Sequence, residues 1–267
     1  MSAEVPWSRY VAVGDSFSEG LWDAPDDDGR LVGWTDRLAA GLSARRVAAG
    51  DAPLEYANLA IRGRLLRPIV VDQVPAALAL EPDLVSLVGG GNDLLRPDGD
   101  PNRLAGILEA AVVRLRREGI DVLLSTGFDP RHGAMIRRTR PKVAVYNTEI
   151  WSIARRHGAH VVDIWGMRSL VDERMWAQDR IHLTSEGHAR VAQAALLGLG
   201  LAPDDPDWDD PLAAAPAIPR SQRARADAVW LRDHALPWAT RRLRRRSSGD
   251  NRAPKRPLPA PVDAHED

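Results

Sequence analysis

The chain of 267 residues is 44% hydrophobic, carries no cysteine and has a formal net charge of -1, which suffices for one α/β domain of about 200 residues plus an appendage. The lack of cysteine excludes disulfides, thiolate nucleophiles and cysteine-ligated zinc, and fits a cytoplasmic location. Glu4 stands where a signal peptide needs positive charge and the longest apolar run, 191–202, is shorter than the ~20 residues that span a bilayer, so the expectation is a soluble protein without a secretion signal.

In chain order, short β-rich apolar runs alternate with longer helical patterns, the signature of parallel strands joined by crossover helices. The spacing predicts strands over 10–14, 54–58, 84–88, 122–126 and 160–164. Trp34, Leu38 and Leu42 recur at helical spacing, giving a helix over 33–49 closed by Gly50. Residues 69–80 form a second helix that Pro75 kinks or splits. A third covers 104–118 between Pro101 and Gly119, a fourth 143–157 ahead of Gly158, and a fifth 186–197 with Thr184 or Ser185 as its N-cap. Five such β-α units wind into an open parallel sheet covered by helices on both faces.

Ligands in sheets of this kind bind at the carboxyl ends of the strands. Three polar clusters fall there: Gly14-Asp15-Ser16 after the first strand, Arg62-Gly63-Arg64 after the second and Gly89 to Asp93 after the third. A serine hydroxyl is a poor nucleophile at neutral pH and needs a base and a group that orients the base. Asp179 and His182, three apart on a tight segment ahead of the last helix, can face the same side, with the carboxylate on one ring nitrogen and the other nitrogen turned toward Ser16. Asp15 is read as bracing the nucleophile turn. No metal or cofactor is called for, and the acidic loop 23–29 lacks the ordered alternation of a calcium site.

Gly14-Asp15-Ser16, Gly63, Gly90-Gly91-Asn92-Asp93 and Asp179-Arg180-Ile181-His182 together resemble the four blocks of the SGNH hydrolases, the GDSL esterases and lipases, over roughly residues 8 to 200. The resemblance implies a flavodoxin-like three-layer α/β/α sandwich, with a mostly five-stranded parallel sheet, that hydrolyses carboxylic esters without a metal. It casts Ser16 as nucleophile, His182 as base, Asp179 as its partner, and the Ser16 amide, the Gly63 amide and the Asn92 side chain as the oxyanion hole. Two positions depart from the pattern. Phe17 replaces the leucine after the serine, altering the packing beneath the turn, and the second block reads Asn58-Leu59-Ala60-Ile61-Arg62-Gly63, so that Gly63 is placed by spacing alone. Trp22, Arg64 and Leu94 are candidate contacts to a small-molecule or lipid-like ester, as are Leu95 and Arg96. The 23–29 loop borders the cleft with Trp22 and Trp34, unless Trp34 packs in the core. His188 falls near the site without a matched role, and it and the remaining histidines are expected on the surface.

The hydrolase domain is read as 1–201, a proline- and aspartate-rich connector as 202–219 and a basic extension as 220–267. Net charge is -7 up to Pro219, +9 from Arg220 to Arg256 and -3 over the last eleven residues. The extension reads as a helix over 221–234, a second starting at Pro237, the arginine run 241–246 and then disorder from Ser247. It is read as solvated, as docked on its own acidic domain through Trp230, Leu231 and Trp238, or as a contact for an anionic membrane or nucleic acid, with no specific nucleic acid expected. For function, two alternatives stand beside ester hydrolysis: acyl transfer to an alcohol through the same residues, and a non-catalytic binding protein whose tail is its working part.

Overall fold

The computed structural model describes residues 4–23, 31–132, 136–216, 219–237, 240 and 247–262. Strands β1 (Arg9–Val13), β2 (Glu55–Asn58), β3 (Leu84–Leu87), β4 (Asp121–Ser125) and β5 (His160–Val162) are mutually parallel, and β6 (Arg256–Pro261) joins β2 antiparallel. The order across the sheet is β5-β4-β3-β1-β2-β6. Because side chains alternate between faces, each of the five parallel strands feeds two cores. Tyr10, Ala12, Tyr56, Leu84, Leu123 and Val162 enter one, and Val11, Val13, Ala57, Val85, Leu87, Val122 and Leu124 the other.

Helices α2 (Trp34–Ala48) and α8 (Ser185–Gly198) cover the first face, closing over Leu38, Leu42, Val191 and Ala195. Helices α6 (Pro101–Arg117) and α7 (Arg140–His157) cover the second with Leu104, Leu108, Leu115, Ile150 and Ile153. Each fully buried leucine or isoleucine contributes ~1.5–3 kcal/mol of transfer free energy. Asp100 caps α6 by accepting from the Asn102 and Arg103 amides, and Thr184 caps α8 by accepting from the Gly187 amide. Among the described residues no helix is long and apolar enough to cross a membrane.

The split helix after β2 breaks upstream of Pro75. It runs as α3 (Leu66–Pro68), a π turn over Ile69–Gln73 and then α4 (Val74–Leu78). A proline has no N–H for the fourth carbonyl back, and the wider turn ahead of Pro75 absorbs that missing bond. The π turn carries Gln73, whose side chain forms a reciprocal pair with the Gly14 backbone: the Gly14 N–H donates to Oε1 at 2.7 Å and Nε2 donates to the Gly14 carbonyl at 3.0 Å.

The tail departs from expectation. From Ser247 the composition predicts disorder, whereas residues 247–262 form a turn and then β6. Prolines stand at every second position, 257, 259 and 261, and Val262 on the alternate set donates its N–H to the Leu54 carbonyl at 2.9 Å. A strand built this way is confined to a sheet edge, where nitrogens without hydrogen face outward. The expected helix from Pro237 and the 241–246 arginine run fall largely outside the described residues, as do Trp238, His265 and all but Asp23 of the 23–29 loop.

Candidate active site

The turn after β1 delivers Ser16 as the first residue of α1 (Ser16–Glu19), with Asp15 as N-cap accepting from the Phe17 amide at 3.1 Å. A side chain at position 14 has no room, because its Cβ would lie 2.6 Å from Ser18 Oγ and 2.8 Å from the Val88 carbonyl. Phe17 packs beneath the turn on Trp34 and His188, with ring centroids at 5.8 and 6.2 Å.

The 177–182 loop closes on itself through the Ala177 N–H to the His182 carbonyl at 2.8 Å and the Arg180 N–H to the Ala177 carbonyl at 2.9 Å. It presents His182 with Nε2 2.8 Å from Ser16 Oγ and Nδ1 2.5 Å from Asp179 Oδ2. Asp179 Oδ1 accepts from the Ile181 and His182 amides, both at 3.0 Å. Burial opposes the charge on Asp179, but the His182 hydrogen bond and charge and the two amides outweigh it and hold the carboxyl below its ordinary range. Arg180 has a left-handed backbone, φ 60°, a conformation that costs a non-glycine residue ~1 kcal/mol or more.

Asn92 lies in α5 (Gly91–Leu94), after β3. Its amide nitrogen donates to Asp15 Oδ2 at 3.1 Å and to the Arg64 carbonyl at 3.0 Å, while Asp93 Oδ2 accepts from the Leu66 amide at 2.9 Å. The turn after β3 thereby holds the loop after β2. From the other side, Glu19 of α1 accepts from the Arg62 backbone at 2.7 Å and pairs with the Arg62 guanidinium at 2.5 Å. Gly63, between these clamps, has φ +73°, and a Cβ there would meet Ser247 Oγ at 2.4 Å. Asn58, at the end of β2, is buried and donates to the Ser18 carbonyl at 2.8 Å and the Tyr56 hydroxyl at 2.9 Å, tying β2 to α1.

Ser16, Gly63, Asn92, Asp179 and His182 all line one cleft of about 760 Å³, and Trp22, Arg64, Leu94, Leu95 and Arg96 border it too. Trp34 is fully buried in the core. His188 is also placed differently from the surface position expected: it is 1% exposed, with Nδ1 accepting from the Trp34 amide at 3.3 Å. Burial, then the Arg37 charge, depress its pKa to about 3 and keep the ring neutral. Trp230, Asp233 and His234 reach the cleft from the C-terminal extension, as do Ser247, Ser248 and Asp250. Only the aromatic character of Trp230 marked any of these in the sequence. Glu19, Gln73 and Lys255 were unmarked, because a side chain that braces a loop from a distant element has no local spacing signature.

The chain matches the model of the GDSL-like Lipase/Acylhydrolase family over residues 12–190. It belongs to that family and is a carboxylic ester hydrolase. Solved structures similar to it include LAE5, an alpha/beta hydrolase from the metagenome of Lake Arreo, Spain, at 26% identity and TM-score 0.60, covering 72% of this chain and 95% of that one. TesA is similar at 26% identity and TM-score 0.56, covering 72% and 97%. Axe2, an acetylxylan esterase from Geobacillus stearothermophilus, shares the fold at 19% identity and TM-score 0.59, covering 73% and 94%. A search of curated protein sequences finds no match.

Proposed function

We propose that the protein cleaves carboxylic esters through an acyl-enzyme on Ser16, with His182 as general base and Asp179 as its orienting partner. The observation that carries this reading is the continuous chain from Ser16 Oγ to His182 Nε2 at 2.8 Å and from His182 Nδ1 to Asp179 Oδ2 at 2.5 Å, opening into the cleft. With the Nδ1 proton donated to Asp179, Nε2 is left to accept the Ser16 proton as Oγ attacks the ester carbonyl. The developing oxyanion is held by the Ser16 and Gly63 amides and by Asn92, one of whose two side-chain N–H groups turns to it from the Arg64 carbonyl. Collapse breaks the bond to the alcohol oxygen, which takes the proton from His182 Nε2. Water then enters, gives a proton to the same nitrogen and releases the acid, and the proton returns to Ser16.

The apolar lining from Leu65, Pro68, Leu94, Leu95, Ile136 and Val143 supports an acyl group larger than acetyl. The test is labelling with a fluorophosphonate and peptide mapping, alongside hydrolysis of an aryl ester by Ser16→Ala. The expected result is a single adduct on Ser16 and loss of turnover with an unchanged melting temperature; full activity in the variant overturns the reading.

A further inference from the structure

The C-terminal extension lies beyond the region matched by the family model, yet it supplies part of the cleft. Its helix α9 (Arg220–Trp230) docks on the loop that carries Asp179 and His182. The Trp230 indole N–H donates to the Asp179 carbonyl at 2.9 Å, Asp227 pairs with Arg180 at 2.7 Å, and the Arg180 guanidinium lies 5.2 Å from the centre of the Trp230 ring. The next turn brings His234 edge-on to Trp22 at 6.0 Å. Further on, Ser247 and Ser248 crowd Gly63 so closely that a Cβ there would lie 2.4 and 3.0 Å from their hydroxyls.

The far end of the extension is anchored as well. Lys255 Nζ donates to the Glu19 and Leu31 carbonyls, both at 2.7 Å, and to Asp36 Oδ2 at 2.6 Å, and β6 completes the sheet edge. The segment is held to the hydrolase fold on both sides of the cleft.

Sheet order then divides the cleft about Ser16. β1, which carries Ser16, lies between β3 and β2. Leu94, Leu95, Phe128, Ile136 and Val143 follow β3 and β4 on one side and form an apolar stretch beside the polar Arg96, Ser125, Thr126 and Thr139. On the β2 side lie Gly63, Arg64 and the apolar Leu65 and Pro68, joined by the polar Ser247, Ser248 and Asp250 of the extension near Gly63 and by His234 of the extension at Trp22. The two substituents of an ester leave the carbonyl carbon in different directions, and the alcohol must lie where His182 can return a proton to its oxygen. α9 is docked on the His182 loop. The extension meets the cleft both at the His182 loop through Trp230 and at Gly63 through Ser247. An apolar chain therefore suits the apolar stretch after β3 and β4, and a hydrogen-bonding alcohol the wall formed by the extension.

We propose that the C-terminal extension is the leaving-group wall of this esterase, selecting esters of neutral, hydroxyl-bearing alcohols through Ser248 and His234. This rests on the reading of Ser16 as the nucleophile. Asp250 and the Arg232-paired Asp233 stand at the same wall as Arg64, a mixed set of charges that favours neither an anionic nor a cationic alcohol.

The experiment measures kcat/KM of the full-length protein on methyl esters graded in acyl length, and on butyrate esters of methanol, glycerol, glucose and cyclohexylmethanol. Wild type should favour glucosyl over cyclohexylmethyl butyrate by about tenfold or more, since unpaired polar groups in a site penalise an alcohol that cannot bond them. Ser248→Phe and, independently, the near-isosteric His234→Phe should each lower the glucosyl-to-methyl ratio by about tenfold while the acyl-length optimum on methyl esters stays in place. Val143→Phe, on the opposite side, should shorten that optimum and leave the alcohol ranking intact. The proposal is overturned if wild type prefers the cyclohexylmethyl ester, if both wall variants leave the alcohol ratios unchanged, or if they move the acyl-length optimum instead. A wild-type protein that hydrolyses none of these esters would sink the esterase reading itself, which separates that failure from this one.

Discussion

Asn92 donates its side-chain amide to Asp15, whose carboxyl stands next to Ser16 in sequence and is itself buried. The second N–H of Asn92 goes to the Arg64 carbonyl, so the amide assigned to the oxyanion must exchange one of these two partners to donate there, while among the described residues Asp15 has no hydrogen bond to His182 or to the Ser16 hydroxyl. Burial is the main force on Asp15 and pushes its pKa up to about 6 against the amide bond from Phe17. The folded value is raised above the unfolded one, so ionising Asp15 costs the folded state. That cost is absent below about pH 4, grows as pH rises through about 6 and is full above it. Asp15→Asn should therefore be more stable than wild type at pH 8, by up to ~3 kcal/mol, with the gain vanishing toward pH 4, and should have lower kcat because Asn92 loses its charged acceptor. Urea titrations at the two pH values check the first half; a stability difference that grows toward acid contradicts it.

Asn92→Ala removes an amide whose two N–H groups are held by Asp15 and by the Arg64 carbonyl and of which one must turn to the oxyanion as it forms. Loss of one oxyanion donor typically lowers kcat by ~10²–10³-fold. The expected signature is that loss with KM nearly constant, because the ground-state carbonyl gains little from the amide. Steady-state kinetics on an aryl ester reads it directly, and a rise in KM at constant kcat would assign Asn92 to substrate binding instead.

Glu19 and Arg62 carry a second constraint on the loop proposed to supply the Gly63 donor. Their side chains are 11% and 14% exposed, and Glu19 also holds the Arg62 backbone N–H next to Gly63. Removing one partner of a buried pair strands the other charge, typically at ~3–5 kcal/mol. Glu19→Ala should lose about that much stability by chemical denaturation and should reduce kcat through Gly63. The Glu19→Ala/Arg62→Ala double variant should recover part of the stability and none of the kcat. Full kinetic recovery in the double variant would detach the pair from the site.

The sheet-edge polar clusters were legible because the chemistry is written locally: Gly14-Asp15-Ser16 is a strand-to-turn signal, and Asp179 and His182 are close in sequence. Five strands read correctly to within two residues because alternate side chains of β1, β3 and β4 feed apolar layers on both faces. The sixth strand did not. Arg256 to Pro261 has the composition of a linker, and only its register against β2 turns alternating prolines into an edge strand. Lys255 beside it is one of only two lysines in the chain and is clasped by two carbonyls and Asp36, with its side chain 13% exposed. Lys255→Met should destabilise the protein by ~2–4 kcal/mol, the range for breaking a desolvated charged group's bonds, and should raise protease cleavage within 247–262. Unchanged stability would mean that the tail is held by β6 alone.

His188 makes the sharpest contrast with Asp15. Its sequence position one turn into α8 placed it near the site, and it is buried against the Phe17 ring and the Trp34 amide, one residue along from Ser16. The folded state keeps it neutral, with its pKa depressed to about 3, while an unfolded chain takes up the proton near 6.5. Its contribution to stability is full above about 6.5 and is lost as pH falls from there toward 3, at ~1.4 kcal/mol per pH unit. His188→Asn, which keeps an acceptor for the Trp34 amide, should be less stable than wild type at pH 7.5 and should close that gap as the medium is acidified to pH 4.5. The slope of the difference is opposite in sign to that expected for Asp15→Asn, so denaturation curves across the range pH 4 to 8 test both residues. A wild-type-minus-variant difference for His188 that stays constant between these pH values would show that the folded ring takes up its proton over the same pH range as in the unfolded chain.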